Sequence, residues 1–121
     1  MIYLAKLSDK EQIKMKRYGQ VIKVDEINKE LYIDYHKKVP KEIKDLIHEC
    51  NMRNYSIFIK DDLLFAYFEY IGNDFEADMK KMAENEDNKK WWELVRPFQI
   101  PLNTAKAGEF WADMDEVYYQ E

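Results

Sequence analysis

Four stretches of the chain have the residue pattern of β-strands. Residues 18–24, 55–59 and 63–70 are rich in β-branched and aromatic side chains, and residues 109–119 alternate between apolar and polar ones. Runs of this kind, bounded by polar or turn-forming residues, are typical of strands. Only residues 60–62 separate the second and third runs, which indicates a β-hairpin, although its loop lacks glycine.

Apolar residues recur at a helical spacing between the first two predicted strands. From residue 27 to residue 50 an apolar side chain appears about every four residues, and Pro40 interrupts the series. Proline disfavours a helical conformation for the residue before it but suits the first turn of a helix. We therefore expect two helices, over 26–37 and 40–50, with Asp25 as the N-cap of the first.

A second helical region follows the third predicted strand. Asn73 and Glu76 have the spacing of a capping pair. Four apolar residues beside them form a helical stripe, namely Phe75, Met79, Met82 and Ala83. A short helix over 88–95 is predicted next. Pro97 ends it, and residues 97–108 are predicted to form a loop.

The order β-α-β-β-α-β predicts the fold class. It is an α+β, ferredoxin-like arrangement, in which helices cover one face of an antiparallel sheet. The other face also needs cover, and its large aromatic side chains indicate a lined cavity or a dimer interface. Residues 17–121 are expected to form this single domain. Residues 1–16 are expected to be a polar N-terminal extension that could form one helical turn at 9–15.

Composition narrows the classes of function. The net charge of −5 argues against a nucleic-acid binder, because phosphate contacts need a basic face. A single cysteine, Cys50, excludes an internal disulfide, and the N-terminus carries charges too early for a signal peptide. The longest apolar run, residues 63–68, is far shorter than the roughly 20 residues that span a bilayer. We expect a cytoplasmic protein that binds a small molecule, with neither a nucleic-acid nor a membrane partner.

Candidate functional residues lie on the first predicted helix, the second strand and the last helix. Tyr32 and His36 are four residues apart and therefore share one helix face. Tyr55 opens the second strand. Trp91 and Trp92 are adjacent on a helix and point about 100° apart, so they cannot both enter the same core. Aromatic rings stack on the apolar faces of sugars, and histidine exchanges protons near neutral pH. Glu109 and the acidic residues around it lie on the last predicted strand, and together all these residues could form a sugar site.

Each candidate also has a structural interpretation. A helix histidine or tyrosine is often a hydrogen-bonded surface residue, a tyrosine at a strand start often packs in the core, and one tryptophan of the pair could be a core residue. His48 is given no role. One cysteine and two distant histidines do not form a metal-ligand set. Three glycines offer no phosphate-binding loop.

At these same positions the sequence resembles the L-rhamnose mutarotase family. The resemblance runs from Arg17 to the C-terminus, and the order and spacing of its pieces carry it more than any one of them. The most specific pieces are residues 53–58, 64–70, 74–79, Trp91-Trp92, the Pro-Xaa-Gln-Xaa-Pro stretch at 97–101, and residues 109–118.

The resemblance implies a reaction and a site. It implies a homodimer of ferredoxin-like subunits with facing sheets, of the dimeric α/β-barrel type, that uses no cofactor. The expected reaction is interconversion of the α and β anomers of L-rhamnose or a related 6-deoxy sugar. By motif, His36 is the proton donor, while Tyr32, Tyr55, Trp91 and Trp92 contact the sugar.

The sequence departs from the family pattern after the histidine. Residues 37–42 lack the Trp-Pro-Glu sequence that the family often has there, and this segment is one residue shorter. Two other functions stay open at this point. One is a non-catalytic module that binds a small ligand on the same architecture. The other is a cofactor-free monooxygenase that acts on an aromatic substrate.

Overall fold

A curled antiparallel sheet with helices on one face organises the chain. This computed structural model describes residues 15–121. The strands are β1 (Lys16–Val24), β2 (Met52–Lys60), β3 (Leu63–Tyr70), β4 (Gln99–Ile100) and β5 (Ala112–Met114), and the helices are α1 (Lys29–His36), α2 (Lys41–Glu49), α3 (Phe75–Glu84) and α4 (Glu86–Val95), followed by a 3₁₀ turn (Arg96–Phe98). The predicted α+β, ferredoxin-like fold class is confirmed. The helical turn expected at 9–15 lies outside the described residues, apart from Met15.

Strands β1, β2 and β3 form the centre of the sheet. The strand order is β2-β3-β1-β4, and β5 also pairs with β1, all antiparallel. Alternate residues of β1 and β3 face the helices and are almost fully buried, namely Ile22, Val24, Leu64, Ala66 and Phe68. Burial of a large apolar side chain contributes roughly 1.5–3 kcal/mol, so this face fixes which side of the sheet the helices cover.

The β2–β3 hairpin forms as predicted, through a tight turn at Asp61-Asp62. Its first strand begins at Met52, however, so that Tyr55 lies inside β2 rather than at its start. Lys60 pairs with Leu63 across this turn. Asp61 adopts a positive φ of 56°, a left-handed conformation that aspartate tolerates better than most residues. The hairpin therefore closes without the glycine that such turns usually contain.

The last strand is much shorter than predicted. Only Ala112–Met114 pairs, rather than 109–119, because β4 and β5 share one edge of β1. Beyond β5 the chain is held by side chains: the Arg17 guanidinium binds the Glu116 carboxylate and lies 3.3 Å from the Tyr119 ring centroid. The prediction of an uninterrupted loop over 97–108 is also wrong, since it contains part of the 3₁₀ turn and β4.

The predicted N-cap at Asp25 is wrong. Helix α1 begins at Lys29, with Asn28 in the N-cap position. The Asp25 carboxylate instead accepts hydrogen bonds from the Ile27 backbone N–H, at 3.1 Å, and from the Asn28 amide, at 2.8 Å. These bonds stabilise a turn, which competes with a helical start.

The cap of α3 differs from the prediction by one residue. Asp74, rather than Asn73, accepts a hydrogen bond from the Ala77 backbone N–H at 3.1 Å. In the same way, Asn85 caps α4, so that this helix starts at Glu86, two residues before the predicted start. Acidic and amide side chains compete as N-caps on nearly equal terms, so the sequence alone does not choose between neighbours.

The helices pack on the sheet in two apolar clusters. The first joins α2 and α3 to the sheet through Leu46, Cys50, Met52, Phe68, Tyr70 and Met82, and the second joins α1 and α4 through Ile22, Val24, Tyr32, Leu64 and Val95. Pro40 directly precedes α2, and residues 37–40 separate the two helices, as the proline predicts. Within residues 15–121, no helix is long and apolar enough to cross a bilayer.

Replacing Gly72 by alanine is expected to destabilise the fold. The added Cβ would lie 2.8 Å from Asp78 Oδ2 and closer still to the Tyr70 hydroxyl, two groups that hydrogen-bond to each other. Overpacking of this kind costs about 1–3 kcal/mol. Urea unfolding should show a lower midpoint with an unchanged slope. Asn73→Ala, at the exposed neighbouring position, is the control, and an equal response of the two variants would contradict this packing.

Candidate active site

A cavity of about 620 Å³ lies between the sheet and the helices. Side chains from all four helices and from β1, β2, β3 and β4 line it, together with Arg96 and Trp111. The structure places Tyr32, His36, Tyr55, Trp91 and Trp92 in its wall. Glu109 does not line the cavity; its carboxylate instead accepts hydrogen bonds from the backbone N–H groups of Lys106 and Asp113. His48 is exposed on α2 and does not line the cavity. The volume falls in the range of roughly 300–1,000 Å³ typical of small-molecule pockets.

Helix α1 presents Tyr32 and His36 side by side. Their ring centroids are 4.4 Å apart. His36 Nδ1 lies 2.8 Å from the backbone carbonyl oxygen of Tyr32. A carbonyl can only accept a hydrogen bond, so Nδ1 carries the proton and donates it. In the neutral ring Nε2 then holds an unshared electron pair.

The surroundings of His36 favour its neutral form. Burial lowers the pKa of His36 below its ordinary value of 6.5, and the bond to the Tyr32 carbonyl opposes this only in part. The Trp91 ring meets the imidazole edge-on, with centroids 5.2 Å apart. At pH 7 the histidine is therefore ready to accept a proton at Nε2.

The Tyr32 side chain is fixed at both ends. Its ring is 2% exposed and packs against Phe98, with centroids 6.2 Å apart. Its hydroxyl oxygen accepts a hydrogen bond of 3.0 Å from Gln99 Nε2. Burial raises the pKa of Tyr32, and the Gln99 bond lowers it to a smaller extent. The hydroxyl is therefore protonated at neutral pH.

Gln99 is the site residue that the sequence analysis missed. It falls in the segment predicted to be a loop, whereas the structure places it in β4, where it pairs with Val24. The available signal was its central place in the Pro-Xaa-Gln-Xaa-Pro stretch, but the register that aims Gln99 at Tyr32 depends on a two-residue pairing. Such short strands leave no periodic pattern.

A β-bulge directs Tyr55 into the cavity. Arg53 and Ser56 of β2 pair with Glu69 and Tyr67 of β3, so two residues of β2 oppose one of β3. The first of the two, Asn54, has a φ of 52°, and its amide donates a 2.7 Å hydrogen bond to Glu69. The bulge thus places the Asn54 side chain beside Glu69, and the Tyr55 side chain beside Phe68 on the face that the helices cover.

Tyr55 stacks on the sheet within the cavity. Its ring lies parallel to Phe68, with centroids 5.5 Å apart and an interplanar angle of 9°. Its side chain is 39% exposed, because the cavity opens to solvent. Even so, surrounding protein atoms desolvate the hydroxyl and, with a smaller effect of Tyr32, raise the pKa of Tyr55 to about 12. Tyr55 is therefore a neutral hydrogen-bonding group.

Trp91 and Trp92 diverge on α4, yet both reach the cavity wall. Trp91 contacts His36, whereas the face of Trp92 lies under the Arg96 guanidinium, with Cζ 3.9 Å from the ring centroid. Val95 occupies the core side of the helix. Both tryptophans are partly buried, and Trp91 also packs against the apolar cluster that contains Tyr32 and Val95.

The cavity is aromatic and apolar, with few charges. Lys44 and Arg96 are the charged residues of its lining, which contains neither aspartate nor glutamate in the part of the chain described. Among residues 15–121, no three His, Cys, Asp or Glu side chains are grouped so as to hold a metal ion. The arrangement can therefore stack on a small ring, hydrogen-bond its hydroxyls, and move a proton through His36.

Fold and site together define the class: a ferredoxin-like domain with the fold of dimeric α/β-barrel proteins, and with an aromatic cavity that contains one histidine. The sequence model of the L-rhamnose mutarotase family matches residues 17–120. An L-rhamnose mutarotase from Listeria monocytogenes is 34% identical over 109 residues, which cover 87% of this chain and 98% of that protein. The protein belongs to the L-rhamnose mutarotase family.

Solved structures agree with this assignment. The crystal structure of an L-rhamnose mutarotase from Formosa agariphila superposes with a TM-score of 0.66 at 25% identity, covering 88% of this chain and 99% of that one. Tetracenomycin F2 cyclase from Streptomyces glaucescens, a type-II polyketide cyclase, superposes with a TM-score of 0.63 at 14% identity over 88% of this chain and 97% of its own. The second likeness shows the fold alone.

The protonation state of His36 can be measured directly. ¹⁵N NMR of the imidazoles should show His36 protonated at Nδ1, with a pKa below 6.5. A depressed pKa means that the unfolded chain binds the proton more tightly. The contribution of the neutral His36 to the free energy of unfolding is therefore complete above pH 6.5. It is lost as the pH falls through the pKa of His36 in the folded state. His36→Gln would assign the signal, and an Nε2-protonated ring would contradict the hydrogen bond to Tyr32.

Proposed function

We propose that this protein is an aldose mutarotase that interconverts the α and β anomers of L-rhamnose or a related 6-deoxy sugar. The observation that carries the proposal is the neutral His36 in an aromatic cavity, anchored through Nδ1, with Nε2 making no hydrogen bond to any of residues 15–121. Membership of the L-rhamnose mutarotase family supports both the reaction and the sugar. The reaction is an isomerisation.

Mutarotation requires little chemistry beyond proton transfer. The anomeric hydroxyl loses a proton, the ring oxygen gains one, and the C1–O5 bond breaks to give the open aldehyde. Rotation about C1–C2 and closure on the other face give the second anomer. A positioned acid–base group accelerates such a step by about 10²–10⁴-fold. His36 is the acid–base group of the proposal, since the neutral imidazole both accepts and returns a proton.

The remaining nominated residues would bind the sugar. Tyr32 and Tyr55 carry neutral hydroxyls within the cavity and would orient sugar hydroxyls. Trp91 and Trp92 would stack on the apolar face of the ring or on its methyl group. The family match favours this function over a non-catalytic binding module and over a monooxygenase.

NMR exchange between anomers tests the function. Saturation transfer should show faster exchange for L-rhamnose with the protein than without it, and L-fucose and D-glucose provide the comparison. His36→Ala should reduce the acceleration by about 10²-fold or more, whereas His48→Ala should not. Binding of a sugar without acceleration would favour the binding module, and oxygen consumption with a quinol would favour the monooxygenase.

We also propose a homodimer formed through the sheet face that the helices leave open. On this face Phe58 pairs with Phe65, which pairs in turn with Val21. Phe58 is 65% exposed, and Met114 on the neighbouring β5 is 41% exposed. Exposed apolar surface of this kind marks an interface, and the family resemblance implies facing sheets.

The Cys50 thiol is free and buried, which fits a reducing, cytoplasmic setting.

Phe58→Asp is expected to disrupt this dimer. A charge buried between two apolar faces without a partner is strongly unfavourable. Light scattering after gel filtration should give twice the chain mass for the unmodified protein and a lower mass for the variant. Ile27→Asp is the control, because Ile27 is 90% exposed outside the sheet. A monomeric unmodified protein would overturn the dimer proposal.

A further inference from the structure

Ring opening needs two proton transfers, of which His36 performs one. We infer that Tyr32 is the second acid–base group, and that Gln99 is the positioning residue that keeps the Tyr32 hydroxyl as a donor toward the cavity. This inference rests on the proposed mutarotase function. It assigns a role to Gln99, which none of the sequence motifs assigned, and it goes beyond sugar contact for Tyr32.

The direction of the Gln99–Tyr32 hydrogen bond carries the argument. The amide nitrogen of Gln99 can only donate, so the Tyr32 oxygen accepts at 3.0 Å. Within residues 15–121 the hydroxyl has no second hydrogen-bond partner, and Tyr32 lines the cavity. Its single proton is therefore free to be donated to a ligand in the cavity.

His36 has the opposite polarity. Its Nδ1–H donates a hydrogen bond to the Tyr32 carbonyl oxygen, 2.8 Å away, so Nε2 is the hydrogen-bond acceptor of the ring. The two rings are 4.4 Å apart on consecutive turns of α1. One residue, Tyr32, thus supplies the carbonyl that sets the histidine tautomer and the hydroxyl that complements it. A donor and an acceptor side by side match the two oxygens of a hemiacetal.

The charged and titratable neighbours preserve this polarity. Lys44 from α2, Arg96 after α4 and Tyr55 from β2 line the same cavity. A carboxylate there would compete for the Tyr32 proton, but the lining described contains none.

Protons and electrons balance in the resulting step. His36 Nε2 takes the proton of the anomeric hydroxyl, and the O1 electron pair forms the C1=O1 bond. The C1–O5 bond breaks, and O5 takes the Tyr32 proton. An imidazolium and a tyrosinate remain, and the tyrosinate is stabilised by the Gln99 N–H. After rotation about C1–C2, O5 attacks C1, Tyr32 recovers its proton from O5, and His36 returns a proton to O1.

The decisive variants change Gln99 without changing its size much. In Gln99→Glu the carboxylate accepts a hydrogen bond from the Tyr32 hydroxyl. The direction of the hydrogen bond is then reversed, and the hydroxyl proton is no longer available to a ligand in the cavity. Gln99→Met keeps the volume but leaves the hydroxyl free to rotate. Acid–base catalysis contributes roughly 10²–10⁴-fold to a rate. We therefore expect kcat for anomer exchange to fall by about 10²-fold in Gln99→Glu and by about tenfold in Gln99→Met. KM should change less than about threefold in both variants.

The pH dependence separates positioning from a merely structural role. Once protonated, the carboxyl group that Gln99→Glu introduces can donate to Tyr32, as the native amide does. The deficit of Gln99→Glu relative to the unmodified protein should therefore shrink between about pH 8 and pH 5, as a glutamate of ordinary pKa about 4.3, raised by burial, takes up a proton. The deficit of Gln99→Met should not depend on pH. A pH-independent deficit for both variants would overturn the role of Gln99.

Tyr32→Phe tests the acid itself, with Tyr35→Phe as the matched control. Tyr35 lies on the same helix and packs on Phe98 but does not line the cavity. We expect kcat to fall by about 10²-fold in Tyr32→Phe and to stay unchanged in Tyr35→Phe, with thermal midpoints verifying that both fold. Full activity of Tyr32→Phe or of Gln99→Glu, beside an active unmodified protein, overturns this inference alone. No acceleration by the unmodified protein overturns the proposed function as well.

Discussion

The burial of Tyr32 against the sheet is the interaction on which the site depends. Its ring belongs to the apolar cluster of Ile22, Val24, Leu64 and Val95, and this packing determines where α1 lies. The helix has few other buried anchors, since Tyr32 is its only residue that is fully enclosed among those described. Because the His36 imidazole is bonded to the Tyr32 carbonyl, the same packing also determines where Nε2 points.

Irregular strand pairing at two places in the sheet positions Gln99 and Tyr55. β4 and β5 divide one edge of β1 between them, which limits β5 to three residues and places Gln99 beside Tyr32. On the opposite side, the bulge at Asn54 rotates β2 so that Tyr55 stacks on Phe68. The cavity therefore arises where the sheet departs from regular pairing. Active sites often coincide with such departures, since a bulge re-aims a side chain at little cost to the rest of the ladder.

Features that follow from periodicity could be predicted from the sequence, whereas the strand pairing that positions Gln99 and Tyr55 could not, although Tyr55 itself was a predicted site residue. The i, i+4 spacing of Tyr32 and His36 and the divergence of Trp91 and Trp92 are properties of one helix, and the structure shows both. The position of Gln99 depends on a two-residue bridge to β1, and that of Tyr55 depends on an extra residue in β2. Neither leaves a repeated apolar pattern. The start of α1 differs from the prediction for another reason, since the Asp25 carboxylate finds its partners in a turn rather than in a cap.

The chemistry of the cavity depends more on the local environment of its side chains than on the fold. A polyketide cyclase has the same fold at 14% identity, so the backbone alone does not specify a reaction. Here burial favours the neutral form of His36 near pH 7 by lowering its pKa, while Tyr32 and Tyr55, which are neutral at this pH even with an ordinary pKa of 10, have that pKa raised further. Neutral groups with fixed hydrogen-bond directions bind a neutral sugar without the cost of burying an unpaired charge. In the proposed isomerisation, His36 and Tyr32 also return to their starting protonation states after each turnover.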